Sequence, residues 1–559
     1  MRTSRAFRLI VSLTTTTALL WASPAVPKPV PPFLVTSAAG GGGGGTEYDV
    51  VVIGATSAGV GAAIGAARGG ARVLLTDPTG RVGGMLTNGV TTDMLRRDAS
   101  SGLFDEHRRL VRASYRGHPD AALSEDGFNA SPDVALAALR TLLDHPGIEL
   151  RTGVRLEGAT SEGRVVTAVT LTDAGGRSTV QASTFIDGTA TGDLLGAVGV
   201  EGRDWVVGRE GGDQYGESLA PEKGDRLQQA YSYRLTVQVG GRTDFPVPAT
   251  YGEDQARYAS IDRTAPGEGA CTFTQPDGAS TRYTGMRIQR CLPDQKMDIN
   301  VDLLGMNHDY PTADAGTRAA VESRLAGFTL GYLHWLRTEA GMPELGLPLD
   351  DYVDNNGFPS VLYVREGRRA KGRATFTQRD AAHNSTSPGT HPRSIAIGEY
   401  GLDSHCVGPP GGVSGGPACQ GGFWHGARPY SVPYDIMVPL RFDNLLVPAA
   451  LSASHVGYST LRMEPVLMNI GYAAGIAAAM ASSTGTHAAD VEVPSLQRTL
   501  VERDQAIVYL PGLPTSGPDF IAAQLDAVRS APKPTPTPTS SPHRRMVRRS
   551  SMSQRLMHV

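Results

Sequence analysis

The chain has little of what marks several common protein classes. It has only four cysteines among 559 residues, and no CxxC pair, which argues against a redox-active dithiol of the disulfide-reductase kind. The formal net charge is only -3, which favours neither nucleic acid nor an anionic surface as a partner. No ligand spacing such as HExxH occurs, so we predict no metal site. We expect a small-molecule or carbohydrate partner.

The amino end has the order of a secretory signal. Three arginines within the first eight residues precede a mostly apolar stretch at 9–21, and small residues follow as far as Ala25. This pattern predicts a signal peptide at 1–25 and a secreted or extracytoplasmic protein. An uncleaved anchor is the alternative, but the stretch is short and rich in threonine, so we predict no stable membrane insertion. Adjacent arginines are absent there, which leaves the export route open.

Two further segments lack the composition of a packed element. Residues 26–46 are dominated by proline and glycine, which supply no apolar face, and this predicts a linker. Residues 531–559 combine prolines with arginines and contain no acidic side chain, which predicts a disordered basic tail.

The four cysteines form an even set, which in an oxidising compartment favours structural disulfides. Four cysteines allow three pairings. We favour the pairing of neighbours along the chain, Cys271 with Cys291 and Cys406 with Cys419.

A glycine-rich turn follows the first strongly apolar segment. Residues 50–53 are continuously apolar, as in a strand buried on both faces, and lead directly into Gly54-Ala-Thr56-Ser57-Ala58-Gly59. This is a GxGxxG fingerprint with Thr56 at the middle glycine. The first N–H groups of the following helix can bind a diphosphate, provided that the Thr56 hydroxyl faces the phosphate.

The next segment completes a βαβ unit. A helix of small residues leads to a second strand that ends at Asp77, 23 positions after Gly54. A carboxylate about 20 residues after the first glycine is expected to bind the ribose hydroxyls of adenosine. The loop that follows contains Gly83, Gly84 and Met85, and its glycines allow the backbone to approach a large ring system.

Four segments together resemble the FAD-dependent oxidoreductase family, which is related to the glutathione-reductase-type flavoprotein fold. They are residues 48–93 with their 80–89 loop, residues 183–194, residues 363–369 and residues 454–471. The resemblance spans about residues 46–482. Some members of this family carry a xanthan-lyase label.

The resemblance implies FAD as the cofactor and assigns further contacts to it. The helix after Pro465 is expected to point its amino end at the flavin, with Asn469, Gly471 and Gly475 on the approach. The backbone of Val154 is expected to contact the adenine. Cofactor contacts are also expected for two residues of the second segment, Asp187 and Gly188.

We therefore predict an α/β protein with a Rossmann-like FAD-binding domain and an inserted, mixed α+β substrate lobe. The first part of the FAD-binding domain is expected at 47–207 and its closing part, with the C-terminal helices, at 431–530. The substrate lobe is expected at 208–430, where glycines, prolines and short alternating segments are frequent.

Two residues before the last apolar helix are candidates for the chemistry. A neutral imidazole of His455 can take a proton from the substrate, because histidine titrates near neutral pH. Arg462 can contact the substrate, or it can form a structural ion pair with Glu464. The arginines at 365, 368 and 369 can bind a carboxylate or can be structural.

Three functions remain open at this stage. The first is an oxidase or dehydrogenase that passes hydride from a small or sugar-like substrate to FAD. The second is a flavin-containing polysaccharide lyase, and the third is a secreted, non-catalytic nucleotide-fold protein. A second nucleotide fingerprint for NAD(P)H is missing, so the electron acceptor is unknown.

Overall fold

The structure of the protein is a computed structural model. It describes residues 48–90, 94, 96–261, 269–274, 278–381, 389–413 and 419–532, all of them within the unit Gly43–Val559. The predicted signal peptide, the predicted linker and the predicted tail from residue 533 onward lie outside the described residues.

The helices range from single turns to the 24 residues of the longest one. In chain order they are α1 (Ser57–Arg68), α2 (Gly102–Ser114), α3 (Pro132–Leu143), α4 (Asp193–Val198), α5 (Gly212–Tyr215), α6 (Tyr251–Ser260), α7 (Ala315–Thr338), α8 (Gln378–Ala381), α9 (His455–Leu461), α10 (Glu464–Thr484), α11 (Val493–Glu502) and α12 (Pro518–Arg529).

The strands are mostly short. They are β1 (Tyr48–Ile53), β2 (Val73–Asp77), β3 (Ile148–Thr152), β4 (Arg155–Glu162), β5 (Val165–Asp173), β6 (Gly176–Val180), β7 (Ala182–Asp187), β8 (Trp205–Val206), β9 (Leu235–Val239), β10 (Cys271–Thr274), β11 (Ser280–Tyr283), β12 (Ile288–Leu292), β13 (Lys296–Ile299), β14 (Leu345–Gly346), β15 (Arg369–Ala370), β16 (Ser394–Gly398), β17 (Leu402–Ser404), β18 (Phe423–His425), β19 (Tyr430–Pro433) and β20 (Leu445–Leu446).

A five-stranded parallel sheet forms the centre of the fold, in the order β20-β7-β1-β2-β3. Alternate residues of β1 enter different hydrophobic cores, because successive side chains of a strand point to opposite faces. Val50 and Val52 pack with α1 and α10, whereas Val51 and Ile53 pack with the antiparallel meander of β4, β5 and β6. This arrangement confirms the predicted α/β, Rossmann-like fold.

Helices α1 and α10 touch through their backbones. A Cβ atom on Gly61 would lie 2.2 Å from the carbonyl oxygen of Met468, and one on Gly65 would lie 2.3 Å from that of Tyr472. Cβ atoms on Gly471 and Gly475 would lie 1.9 Å and 2.0 Å from backbone oxygens of α1. The helices can pack this closely only because all four positions are glycine.

By length and composition, α10 is the one helix of the described residues that is apolar enough to cross a membrane, with a mean hydropathy of 1.4 over its most apolar 18-residue window. Of that window, 83% is buried within the fold. Its apolar side chains therefore fill the core between α1 and the sheet.

The middle of the chain has a hydrophobic core of its own. A four-stranded antiparallel sheet in the order β12-β13-β9-β14 supplies side chains such as Val237 and Ile299. Helices α6 and α7 cover it with aromatic residues, including Tyr258 and Phe328. This part has the mixed α+β character that we predicted for the substrate lobe.

The described residues between Phe376 and Leu402, which are 376–381 and 389–402, belong to a different core. Their buried side chains pack with α1 and α10 rather than with the four-stranded sheet, and β16 pairs with β19. These residues fall within the range 208–430 predicted for the lobe. The structure therefore assigns part of that range to the core of the parallel-sheet domain.

Both predicted disulfides are confirmed. Cys271 is bonded to Cys291, which ties β10 to β12, and Cys406 is bonded to Cys419. Among the described residues no cysteine is free.

The contact between α1 and α10 gives a testable prediction for Gly471→Ala. The added methyl group has no space against Ala58, so we expect the free energy of unfolding to fall by about 1–3 kcal/mol. Gly252→Ala is the matched control, because Gly252 lies in α6 with no atom within 4 Å of its Cβ position. The control should gain up to about 1 kcal/mol from helix propensity alone.

Thermal and denaturant unfolding of the two variants and the wild type measures these changes. Equal stability of Gly471→Ala and wild type would show that the two helices are not in backbone contact.

Candidate functional site

The turn between β1 and α1 closes only with glycine. Gly54 has a φ of +88°, in the left-handed region, and its N–H donates to the carbonyl of Thr76 at 2.8 Å. A Cβ on Gly59 would lie 1.9 Å from the Gly54 oxygen, and one on Gly188 would lie 2.5 Å from the same atom. Gly54, Gly59 and Gly188 thus pack together at the carboxyl end of the sheet.

Thr56 has a role that its position in the fingerprint did not suggest. It is the N-cap of α1, where its hydroxyl donates to the carbonyl of Gly188 at 2.6 Å and accepts weakly from the N–H of Gly59 at 3.4 Å. The one proton of this hydroxyl is thus directed at Gly188, and its orientation toward a phosphate stays a prediction. The N–H groups of Ser57 and Ala58, in the first turn of α1, have no acceptor within the helix and remain the donors for an anion.

Asp77 lies at the end of β2 and braces this turn. One carboxylate oxygen accepts from the N–H of Ala55 at 2.9 Å, and the other accepts from the N–H and the hydroxyl of Thr79 at 2.8 and 2.6 Å. The side chain is buried, and burial raises the pKa of Asp77. Each carboxylate oxygen has two acceptor sites, so the oxygen that accepts from Ala55 can still accept from one ribose hydroxyl.

The glycine loop after β2 folds back over the turn. The N–H of Gly83 donates to the carbonyl of Ala55 at 2.6 Å, and a Cβ on Gly84 would lie 3.1 Å from Thr56. Gly83 and Gly84 both have positive φ angles, +103° and +55°. Met85 is buried in a small cluster with Tyr363. The structure thus places Gly83 and Gly84 against the turn and Met85 beside the middle of the chain.

Val154 and Asp187 are committed to contacts within the protein. The N–H of Val154 donates to the carbonyl of Asp77 at 2.9 Å, so this N–H is not available to an adenine. Asp187 is fully buried and accepts from the N–H groups of Thr189 and Leu195 at 3.1 and 2.8 Å. Burial raises the pKa of Asp187 to about 6. Asp187 therefore orders the turn beside Gly54 from within the fold.

The amino ends of α1 and α10 meet. The hydroxyl of Ser57, the first residue of α1, donates to the carboxylate of Glu464, the first residue of α10. Both side chains are buried. Two positive helix ends therefore converge at the carboxyl edge of the parallel sheet, and N–H groups at such an end can bind an anionic dinucleotide.

Asn469 and Gly471 contact neighbouring helices instead of an open site. The amide of Asn469 donates to the carbonyl of Ser101 and accepts from the N–H of Phe104, which caps the start of α2. Gly471 packs on Ala58 of α1. Each of the two residues thus fixes a neighbouring helix, and their approach to the flavin stays a prediction.

His455 lies at the start of α9 within a buried network. Its ring Nδ1 contacts Glu366 at 2.8 Å, and its ring Nε2 contacts the hydroxyl of Ser404 at 3.3 Å. Its backbone N–H donates to Glu210 at 2.8 Å. Glu366 also pairs with Arg369 at 3.0 Å. Although burial raises the pKa of Glu366, His455 and Arg369 hold it below its ordinary value.

Both ring nitrogens of His455 thus have protein partners, and its exposure is only 2%. These contacts argue against the predicted role as a proton acceptor, because neither nitrogen is left for a substrate. The geometry gives His455 a positioning role between α9 and β17.

Arg462 connects α9 to the polar residues around β17. Its guanidinium donates to the hydroxyl of Tyr363 at 2.7 Å and pairs with Asp403 at 3.1 Å. Glu464 bonds to Ser57, so the predicted Arg462–Glu464 ion pair is replaced by two separate contacts. Arg462 itself is nearly buried, at 4% exposure.

The basic cluster at 365–369 is structural. Arg365 pairs with Asp302 at 3.0 Å, Arg368 with Asp193 at 3.1 Å, and Arg369 with Glu210 at 2.7 Å. Arg365 and Arg369 are buried, so each needs its carboxylate to offset the cost of desolvation. Of the two roles that the sequence left open, the structure supports the structural one.

One residue of the site carried no sequence signal. His405 follows β17, and its Nδ1 contacts Asp302 at 2.7 Å, so Asp302 lies between His405 and Arg365. Although burial raises the pKa of Asp302, Arg365 and His405 hold it well below its ordinary range. The two partners of this pair lie 103 positions apart, and no spacing rule connects them. The neighbouring Cys406 is the nearest hint in the sequence.

A group of three potential metal ligands lies elsewhere, at His118, Asp120 and Asp294. The Nδ1 of His118 accepts from the N–H of Asp120 at 3.0 Å, and its Nε2 contacts Asp294 at 3.0 Å. Both ring nitrogens are therefore used within the group, and hydrogen bonds account for its geometry.

The comparisons with solved structures give short, distant matches. They include L-proline dehydrogenase from P. horikoshii (15% identity, covering 30% of this chain and 25% of that chain, TM-score 0.17). THI4 from Thermovibrio ammonificans matches at 15% identity over 27% of this chain and 60% of that chain, with a TM-score of 0.19. BexE matches at 17% identity over 42% of each chain, with a TM-score of 0.22.

These matches span between 25% and 60% of those chains, and similarity at such TM-scores supports no conclusion about function. A comparison with curated proteins found no match.

A family model gives the decisive comparison. The model described as FAD dependent oxidoreductase matches residues 49–500 and thus covers the parallel sheet, α1, the middle of the chain and α10. Because this match extends over most of the chain, the protein belongs to the FAD-dependent oxidoreductase family, and its cofactor is FAD.

Proposed function

We propose that this FAD-dependent oxidoreductase removes a hydride from a small or sugar-like alcohol, and that it works outside the cytoplasm. The observation that carries the proposal is the meeting of the α1 and α10 amino ends beside Asp77, next to polar side chains on β17. One end of the site fits a dinucleotide, and the other offers groups that can orient a hydroxyl substrate.

The residues of the turn fit FAD. A Cβ at Gly54 or Gly59 would collide with backbone atoms. Glycine at both positions therefore lets the edge of the sheet and the start of α1 lie close together. Ser57 and Ala58 offer N–H groups to the diphosphate, and Asp77 offers one acceptor site to a ribose hydroxyl. When bound there, FAD supplies the two-electron acceptor for the substrate.

Side chains around the junction exclude water and hold position. Met85 and Val90 are buried against Tyr363, whose hydroxyl is fixed by Arg462. Asp403 binds the other side of the same guanidinium. Fixed, buried side chains of this kind keep water out of the site. They therefore favour hydride transfer to the flavin over side reactions with solvent.

An exposed aromatic side chain supports a sugar-like substrate. Trp424 on β18 is 51% exposed and pairs across the hairpin with Asp403 on β17. Its ring packs edge to face with Tyr400 at 5.3 Å. An exposed indole beside a carboxylate can stack on a sugar ring while the carboxylate accepts hydrogen bonds from its hydroxyls.

The absorption spectrum of the purified protein with added FAD is the first test of this proposal. The second is an anaerobic panel of sugars, simple alcohols and amines, read by loss of the flavin band. Bleaching by an alcohol or sugar supports the proposal. Unsaturated sugar products without any electron acceptor would support the lyase alternative. Failure of the whole panel to bleach the flavin would contradict the proposed reaction.

The extracytoplasmic location depends on the predicted signal peptide at 1–25. Expression in a secreting host, followed by amino-terminal sequencing of the exported protein, tests it. We expect a mature chain that begins shortly after Ala25. Retention of the whole chain in the cytoplasm would contradict this part of the proposal.

Asp77→Asn gives a testable prediction for FAD binding. Asparagine keeps the size of the side chain but loses the charge, so we expect FAD affinity to fall roughly tenfold or more. Asp173→Asn is the matched control, because Asp173 also accepts from a backbone N–H, that of Gly175, in the exposed turn after β5. Titration of apoprotein by flavin fluorescence measures both, and equal affinities of Asp77→Asn and wild type would contradict the assignment.

The same residue predicts a pH dependence. A ribose hydroxyl donates to the ionised form of Asp77, so FAD favours that form and competes with a proton. Burial raises the pKa of Asp77, and we therefore expect FAD affinity to fall as the pH drops through that raised pKa. Affinity should be constant above it.

The measurement is a set of FAD titrations from neutral to mildly acidic pH, with Asp77→Asn as the reference. The variant should lose most of this acid dependence. An identical pH dependence in both proteins would show that another group is responsible.

A further inference from the structure

His405 has one ring nitrogen fixed and the other open. Its Nδ1 contacts Asp302 at 2.7 Å, and its backbone N–H donates to Gln229 at 3.3 Å. The side chain is 20% exposed, and among the described residues its Nε2 has no hydrogen-bond partner. In this it differs from His455, whose two nitrogens are both occupied.

Asp302 determines which nitrogen of His405 carries the proton. It is fully buried and pairs with Arg365 at 3.0 Å, so it is held as a carboxylate. A carboxylate accepts a hydrogen bond, which places the proton of the neutral imidazole on Nδ1. The lone pair of Nε2 then points away from Asp302, where a substrate proton can reach it.

A short series of contacts links His405 to the proposed FAD site. The preceding residues, Asp403 and Ser404, contact Arg462 and His455. Arg462 lies two residues before α10, whose first residue bonds to the first residue of α1. His405 therefore lies on the polar side of the junction at which the two helices begin.

The backbone at His405 is also fixed. Cys406 is bonded to Cys419, and its carbonyl accepts from the N–H of Ala230 at 3.2 Å. Asp302 comes from the middle of the chain, and β17 pairs with β18. A side chain held from three directions in this way keeps its ring at a constant orientation, as general-base catalysis needs.

We propose that His405 is the base of this enzyme and takes the hydroxyl proton of the substrate at Nε2. As the O–H bond breaks, the carbon bonded to that oxygen loses its hydrogen with two electrons, which bound FAD accepts, and a C=O bond forms. His405 becomes an imidazolium whose charge is stabilised by Asp302. This inference rests on the proposed function, because it requires a hydroxyl substrate.

The surroundings of His405 favour the neutral form of its imidazole. Burial and the guanidinium of Arg365 lower the pKa of His405, while Asp302 and Asp403 oppose this shift. The imidazole is therefore unprotonated at neutral pH and able to accept a proton. Activity should be lost as the pH falls through this lowered pKa.

His405→Asn is the test variant, because the asparagine amide can still donate to Asp302 while the Nε2 base is lost. We expect FAD affinity within about threefold of wild type and complete bleaching of the flavin by dithionite. Bleaching by the alcohol or sugar that reduces the wild type should slow at least roughly 100-fold. The acid limb of its pH profile should disappear, and added imidazole should restore part of the rate.

His487→Asn is the control, since His487 is exposed and lies after α10. It should match the wild type in every measurement. Equal rates for His405→Asn and wild type would overturn the assignment of His405 alone. A wild type that no hydroxyl compound bleaches would overturn the proposed function, and this inference with it.

A second measurement needs no substrate. Diethyl pyrocarbonate modifies unprotonated, accessible imidazole nitrogens, and mass spectrometry of peptides locates the product. We expect modification of His405 in the native FAD-bound protein at neutral pH, decreasing in acid, and protection of His455 and of His107, which is 3% exposed. An unmodified His405 would show that Nε2 is closed and would overturn the proposal.

Discussion

The backbone contact between α1 and α10 is the constraint on which the rest of the molecule depends. Four glycines bring the two helix backbones into contact, so the helices lie side by side. Their amino ends then meet, and the Ser57–Glu464 hydrogen bond joins them. Because α1 follows β1 directly, this meeting point falls at the carboxyl edge of the parallel sheet, where an open α/β sheet binds its ligand.

Around this point the buried arginines have acidic partners. Arg365 and Arg369 are buried against carboxylates, and Arg462 is held by Asp403 and a tyrosine hydroxyl. Such pairs add little net stability, because desolvation offsets most of their attraction, but the loss of one partner is costly. They hold β17 and α9 at a fixed position beside the FAD-binding turn, and they leave His405 with an open nitrogen.

The local parts of the site could be predicted from the sequence, and the distant ones could not. The strand before Gly54 and the acid at Asp77 belong to one βαβ unit, in which spacing alone determines position. The hydroxyl of Thr56 caps α1, a role that its position in the fingerprint does not reveal. The His405–Asp302 pair joins segments from different parts of the fold, and only tertiary packing brings them together.

The central claim is that the paired helix ends hold the diphosphate of FAD. A crystal structure of the FAD complex tests it most directly. The account predicts diphosphate oxygens within hydrogen-bond distance of the N–H groups of Ser57 and Ala58, and a ribose hydroxyl that donates to Asp77. A diphosphate bound elsewhere, with the start of α1 left to solvent, would contradict the account.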